Sequence, residues 1–157
     1  MAATKSQTSS EVVVNVPLRT VYNQWTQFEE FPRFMGGVEE VRQKGPDQVY
    51  FRVNVGGHTV EYDARIVEQV PDKRIVWRSI AGKKTGGMVE FERLDDDHTR
   101  ITLDLMYEPE GALEKIGDLI GLVKNRAHQD LENFKKFIEE RQSETGAWRG
   151  EIHSQRR

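Results

Sequence analysis

Few side chains in this chain combine the type and the spacing that catalysis requires. Histidines occur on two predicted turns, a helix flank and the C-terminal tail, at His58, His98, His128 and His153. Their separations do not match those of metal ligands. The chain has no cysteine, which excludes thiolate nucleophiles, disulfides and cysteine-based metal sites. The sequence therefore predicts neither a metal site nor a cofactor.

Any reactive group must then come from the inward face of a sheet, which the central part of the chain predicts. Between residues 38 and 108 the apolar residues recur with a period of two, which is typical of half-buried strands. The predicted strands lie at about 38–44, 48–55, 58–70, 74–81, 86–94 and 98–107. Glycine, proline and aspartate at the breaks favour tight turns, and therefore an antiparallel meander. A first strand at about 10–16 brings the total to about seven.

One face of these strands is apolar and contains no Asp, Glu, His, Lys or Arg. This face should point inward, and the charged face should point toward water. The polar members of the inward set are Ser79, Tyr62 and Tyr107. Hydroxyl groups can orient a ligand, but they are poor general bases near neutral pH. Tyr62 and Tyr107 are therefore only weak catalytic candidates.

Helices on either side of the sheet must close the interior. Apolar residues spaced by three and four predict one long amphipathic helix over residues 110–142, after Pro109. Pro17 opens a shorter helix, and the aromatic stretch at 28–35 predicts a second one that ends at Gly36–Gly37. The order predicts an α+β architecture. In it a curved antiparallel sheet of about seven strands grips the C-terminal helix, with two short helices after the first strand.

The chain is long enough for one domain, with polar segments at both ends. Residues 1–10 are predicted to be disordered, 11–142 to form the domain, and 143–157 to form a polar tail. Trp148 stands among polar residues in that tail. A large aromatic side chain usually needs cover, so Trp148 either folds back onto the domain or contacts another protein.

Charge and hydropathy restrict the partners. The net charge is -3 and the two signs are interspersed, which argues against nucleic acid or an acidic membrane as the main partner. The N-terminal residues lack an apolar run, and no stretch approaches the length of about 18 apolar residues that indicates a membrane span. We therefore expect no signal peptide, no integral membrane association, and a cytoplasmic location.

Three stretches carry a family resemblance: VPLRTVYNQWTQFEEFPRFMGGVEEV, EYDARIVEQVPDKRIVWRS, and YEPEG followed by a long helix containing DLENFKKFIEERQSETGAWRGE. Over about residues 10–150 the chain resembles the polyketide cyclase/dehydrase branch of the START-like helix-grip (SRPBCC) superfamily. It is most similar to the small single-domain members common in actinobacteria. The resemblance implies a cavity between the sheet and the C-terminal helix. Members bind lipids, hormones, quinones or polyketides, and only some catalyse a reaction.

The apolar inward face favours a carrier or sensor of a hydrophobic small molecule, such as a lipid, a quinone or a polyketide-like compound. One alternative is a polyketide aromatase/cyclase or dehydratase, which would need a charged or well-placed polar group in the cavity. Another is a protein-interaction module that uses the tail around Trp148. The predicted ligand-binding residues are Phe31, Phe34, Met35, Phe51, Val53, Tyr62, Trp77, Phe91, Leu103, Leu105, Tyr107, Ile116 and Ile120. Arg33 is predicted at the entrance, where it could meet an anionic head group.

Overall fold

The computed structural model describes residues 6–107 and 116–153. Within these ranges, an antiparallel sheet curls around a C-terminal helix, and the predicted α+β helix-grip architecture is confirmed. The strands are β1 (Ser6–Val14), β2 (Val38–Gln43), β3 (Gln48–Val55), β4 (His58–Val70), β5 (Arg74–Gly82), β6 (Thr85–Asp95), β7 (His98–Tyr107) and the short β8 (Ile152–His153). The helices are α1 (Leu18–Trp25), a 3₁₀ helix (Phe28–Arg33) and α2 (Ile116–Arg141).

The sheet has the order β1-β7-β6-β5-β4-β3-β2, and β8 is added to the end of β4. Strands β2 to β7 form the predicted meander, because each one pairs antiparallel with the next along the chain. The pairing of β4 with β5 shifts register twice, between Asp63 and Ala64 and between Ile66 and Glu68. Such bulges bend and twist a strand, which helps the sheet curve around α2.

The two faces of the sheet follow the predicted alternation. Inward side chains such as Val89, Ile101 and Leu103 are buried. The facing stripe of α2 is buried as well, through Ala127, Leu131, Phe134 and Ile138. The outer face carries cross-strand ion pairs such as Arg100 with Glu92. Exposed pairs of this kind contribute at most about 1 kcal/mol each, so burial of the inner face and of the α2 stripe holds the fold together.

The two short helices cover one end of the core. Helix α1 begins after Pro17, whose carbonyl accepts the Val21 N–H at 3.1 Å. Pro32 lies inside the second predicted helix, which is a short 3₁₀ helix. Trp25 of α1 meets Phe134 of α2 edge to face, with ring centroids 5.0 Å apart. Aromatic packing therefore fixes this end of the domain.

The N-terminal limit of the domain differs from the prediction. Strand β1 begins at Ser6, so residues 6–10 pair with β7 and are not a disordered lead-in. Thr8 and Ser10 point inward and are each only 8% exposed. Because these inward positions carry hydroxyl groups instead of apolar side chains, the alternation that marks a strand is invisible in this stretch.

The C-terminal tail folds back onto the domain. Arg149 donates to Asn23 Oδ1 at 2.6 Å and forms an ion pair with Asp72 at 2.7 Å. Strand β8 pairs with β4. The Trp148 backbone N–H donates to Thr26 Oγ1, while the side chain remains 42% exposed. A contact between Trp148 and another protein stays a prediction.

Some sequence-based expectations lie outside the described residues. These include the predicted start of the long helix at Pro109 and the stretch 108–115 around it. Among the helices that the structure describes, none is long and apolar enough to cross a membrane.

Candidate ligand-binding cavity

A cavity of about 750 Å³ lies between the inner face of the sheet and α2. Ligand pockets in proteins commonly range from about 300 to 1,000 Å³, so this one can hold a small organic molecule. Its wall is built mainly from apolar side chains of β3, β4, β5, β7 and α2. These include Val49, Phe51, Val53, Ala64, Ile66, Ile75, Trp77, Leu103, Leu105, Val123, Ala127 and Leu131.

Most of the sequence-predicted site residues whose side chains the structure describes do line this cavity. They are Phe31, Met35, Phe51, Val53, Tyr62, Trp77, Leu103 and Leu105. The rings of Phe51 and Tyr62 stack with centroids 5.3 Å apart, as expected for opposed positions on paired strands. Whether these side chains contact a ligand stays a prediction.

Two predicted lining residues lie elsewhere, contrary to the sequence analysis. The Phe34 ring stacks on Phe137 of α2 at a centroid distance of 4.3 Å. The 3₁₀ helix carries it to the C-terminal half of α2, away from the cavity. Phe91 packs edge to face against Tyr22 at 5.3 Å, in the part of the core that α1 covers. Strand parity gives the correct face for Phe91, but it cannot say which part of that face borders a cavity.

Arg33 does not line the cavity either, and its place at an entrance stays a prediction. Its guanidinium pairs with Glu30, one turn earlier in the same 3₁₀ helix. The exposed lining residues instead include His58, Met106 and Leu122. In the described part of the chain, the cavity thus opens near the β3–β4 turn and the N-terminal half of α2. Gly56 in that turn packs against Leu122, so closely that an added Cβ would lie 2.6 Å from Leu122 Cδ1.

Three more predicted site residues stay untested. The side chains of Tyr107, Ile116 and Ile120 lie outside the described residues, although their backbone belongs to β7 and α2. Their contribution to the cavity remains a prediction.

The cavity wall contains a charged pair that the sequence analysis missed. Arg126 and Asp130 of α2 both line the cavity, and Arg126 Nη2 lies 2.9 Å from Asp130 Oδ1. The same oxygen accepts the Gly37 backbone N–H at 3.4 Å. The expectation of an interior without Asp, Glu, His, Lys or Arg considered only the inward set of the strands. The cavity lining contains this pair on α2, and also His58 and Glu61 of β4 and Lys83 of the β5–β6 turn. The i, i+4 spacing of the pair was the available signal.

Gly37 lets this pair form. The stem of Arg126 crosses directly over the Gly37 backbone, and a Cβ at position 37 would collide with the Arg126 Cδ, Nε and Cγ atoms. The loop after the 3₁₀ helix therefore holds the guanidinium from one side, while Asp130 holds it from the other.

Burial governs the protonation of the polar groups in the cavity. Desolvation raises the pKa of the Asp130 carboxyl, although Arg126 and the Gly37 N–H act in the opposite direction. Enclosure among apolar side chains raises the pKa of the Tyr62 phenol well above its usual value. Tyr62 therefore stays neutral and can donate a hydrogen bond, but it is a poor base. Asp130 is the better acid–base group of the two.

Strand β6 contains two consecutive glycines, Gly86 and Gly87, which lie against Trp77 of the cavity wall. Gly87 lies opposite Trp77 in the ladder between β5 and β6, and the indole ring covers it. A Cβ at position 87 would lie 2.8 Å from Trp77 Cη2 and 2.8 Å from the Asp104 carbonyl oxygen. The glycine thus gives Trp77 its place in the cavity wall.

A curved antiparallel sheet that encloses a cavity against a C-terminal helix defines a START-like helix-grip protein. Residues 14–138 match the family described as polyketide cyclase / dehydrase and lipid transport, and the chain belongs to that family. An uncharacterized 17.2 kDa protein of Streptomyces lincolnensis is 47% identical over 148 residues, which cover 94% of this chain and 99% of the relative.

Solved structures show the same fold at low sequence identity. The chain is similar to the Zhui aromatase/cyclase from Streptomyces sp. R1128, with a TM-score of 0.75, 17% identity, and coverage of 92% of this chain and 100% of the other. A START superfamily protein from Mycobacterium smegmatis gives a TM-score of 0.69, 19% identity, and coverage of 86% and 95%. At these identities the similarity establishes the fold and not a shared activity.

Proposed function

We propose that the protein binds a hydrophobic small molecule in the cavity between the sheet and α2, as a carrier or sensor. The observation that carries this proposal is a cavity of about 750 Å³ with mostly apolar walls. At about 25 cal/mol per Å² of buried apolar surface, a ligand that buries about 300 Å² gains several kcal/mol before the costs of ordering. A lipid, a quinone or a polyketide-like compound has this much apolar surface.

The test is a binding titration with a hydrophobic fluorescent probe, together with native mass spectrometry of the purified protein. Val53→Phe should fill part of the cavity, because Val53 lines it and is only half-buried. Leu94→Phe is the matched control, since Leu94 is 39% exposed and lies outside the lining. We expect saturable binding that Val53→Phe weakens and Leu94→Phe leaves unchanged. Absence of binding, or equal binding by both variants, would refute a ligand in this cavity.

One observation favours an enzymatic alternative, a polyketide cyclase or dehydratase. Asp130 supplies a buried carboxyl of raised pKa in the cavity wall, next to the guanidinium of Arg126. Burial of this kind moves a carboxyl toward the range in which it can exchange protons near neutral pH. The fold similarity to an aromatase/cyclase is compatible with this alternative.

Product analysis separates the two functions. The protein would be incubated with poly-β-ketone mimics and with acyl lipids, and the recovered material compared with that from a protein-free control. A carrier or sensor returns the compound unchanged. Turnover above the uncatalysed rate that disappears in Asp130→Asn, and persists in the exposed control Glu132→Gln, would establish the enzyme instead.

A further inference from the structure

The hydrogen bonds of the Arg126–Asp130 pair converge on a single carboxylate oxygen. Arg126 Nε and Nη2 lie 3.2 Å and 2.9 Å from the same oxygen, Asp130 Oδ1, and the Gly37 N–H also points to it. Within the described residues, neither Arg126 Nη1 nor Asp130 Oδ2 forms a hydrogen bond. Both residues line the cavity, so one donor and one acceptor of the pair remain for a ligand, in a wall that is mainly apolar but also includes His58, Glu61 and Lys83.

The charge of this pair is already balanced. The side chains of Arg126 and Asp130 are only 30% and 12% exposed, so water screens them weakly. A ligand carboxylate at this place would add a second negative charge close to Asp130, and it would lose its own hydration on entering the cavity. A neutral group that accepts from Nη1 and donates to Oδ2 would satisfy both free positions without adding charge.

We propose that the Arg126–Asp130 pair selects a ligand whose polar end is neutral and carries an acceptor beside a donor, such as a primary amide or a hydroxyketone, and that it discriminates against a carboxylate. This inference rests on the proposed binding function of the cavity. It differs from the expectation attached to Arg33, which placed a lone cation at the entrance for an anionic head group.

The test compares two ligands that share one alkyl chain, decanamide and decanoate, at a pH where the acid is ionised. Displacement of a neutral hydrophobic probe gives both affinities and also shows that the cavity is intact in each variant. We expect the wild-type protein to bind decanamide at least about tenfold more tightly than decanoate. Asp130→Asn leaves the Arg126 cation without its counter-charge, so the ratio of the two affinities should fall at least about tenfold or reverse.

Two further variants make the result specific. Glu132→Gln removes one negative charge from an exposed position of the same helix, and it should leave the ratio unchanged. Gly37→Ala keeps both charged groups but displaces the Arg126 stem, so it should lower the affinity for decanamide while the neutral probe still binds. This variant also tests the pair if Asp130→Asn does not fold.

The outcomes distinguish this inference from the function on which it rests. If neither the probe nor the two ligands bind, the proposed function fails and the inference fails with it. If the probe binds, but decanamide and decanoate bind equally or Asp130→Asn leaves their ratio unchanged, only the inference is refuted.

Discussion

Gly87→Ala should disturb the cavity wall through Trp77. The added Cβ would collide with Trp77 Cζ2 and lie 2.8 Å from Trp77 Cη2, whereas ordinary contacts of a Cβ begin at 3.4 Å, so the indole must shift by more than about 0.6 Å. Overpacking of this kind destabilises a protein by about 1–3 kcal/mol. The lower entropy of alanine in the unfolded chain offsets about 0.5–1 kcal/mol of that loss. We expect a net loss of about 0.5–2 kcal/mol, together with weaker binding of a hydrophobic probe.

Urea denaturation followed by far-UV circular dichroism measures this loss, and the wild-type protein and Trp77→Leu provide the comparison. In the Trp77→Leu background the ring is absent, so Gly87→Ala should cost less. Part of the penalty should remain, because the Asp104 carbonyl is also only 2.8 Å from the added Cβ. Such a double-mutant cycle isolates the contact between the two positions. An equal cost in both backgrounds, or no cost in either, would refute the account given for Gly87.

Phe91→Ala should lose about 3–5 kcal/mol in urea denaturation with little change in probe affinity, because Phe91 is buried outside the cavity. Trp77→Ala should weaken probe binding more and cost less stability than Phe91→Ala does. Equal effects of the two variants on probe affinity would contradict this. Gly121→Ala should raise stability by about 0.8–1 kcal/mol in thermal melts, since Gly121 is exposed on α2 with no described atom near its missing Cβ; a loss would contradict this. Because burial raises the pKa of Asp130, the stability of the wild type should fall relative to Asp130→Asn as the pH rises above about 4, by at most about 1.4 kcal/mol per pH unit. A difference that stays constant in urea titrations from pH 4 to 7 would show that the folded state does not perturb Asp130.

The strands of the meander, β2 to β7, were predictable almost to the residue, because two independent signals agree. Strands β3 (Gln48–Val55), β4 (His58–Val70) and β7 (His98–Tyr107) have the predicted limits. Their alternation of apolar and polar side chains gives the faces, and the glycine, proline and aspartate residues between them give the turns. When period and turn chemistry agree in this way, the tertiary structure has little reason to override them.

The two ends of the domain were less predictable, because pairing there depends on distant partners. Strand β1 begins with the polar residues SQTSS, and β7 pairs with them through backbone groups that carry no sequence signal. Arg149 in the tail meets Asp72, which lies far away in the sequence and adopts a positive φ of 65° in the turn after β4. A lone arginine in a polar tail gives no indication of such a partner.

The charged pair in the cavity shows where the rule of helix amphipathicity fails. Arg126 and Asp130 each lie one position before a stripe residue, Ala127 and Leu131, at the edge of the apolar face. Toward the C-terminal end of α2 the stripe is closely packed, and Phe134 is fully buried against Trp25 and Phe34. Toward Arg126 the sheet stands away from the helix and the cavity fills the space between them. A helix that borders a cavity turns a wider sector inward than one that packs on a sheet, because no opposing side chains occupy that sector. Edge positions that would be solvated along a packed helix become lining positions here, and a polar group in the cavity has to be sought there as well as on the strands.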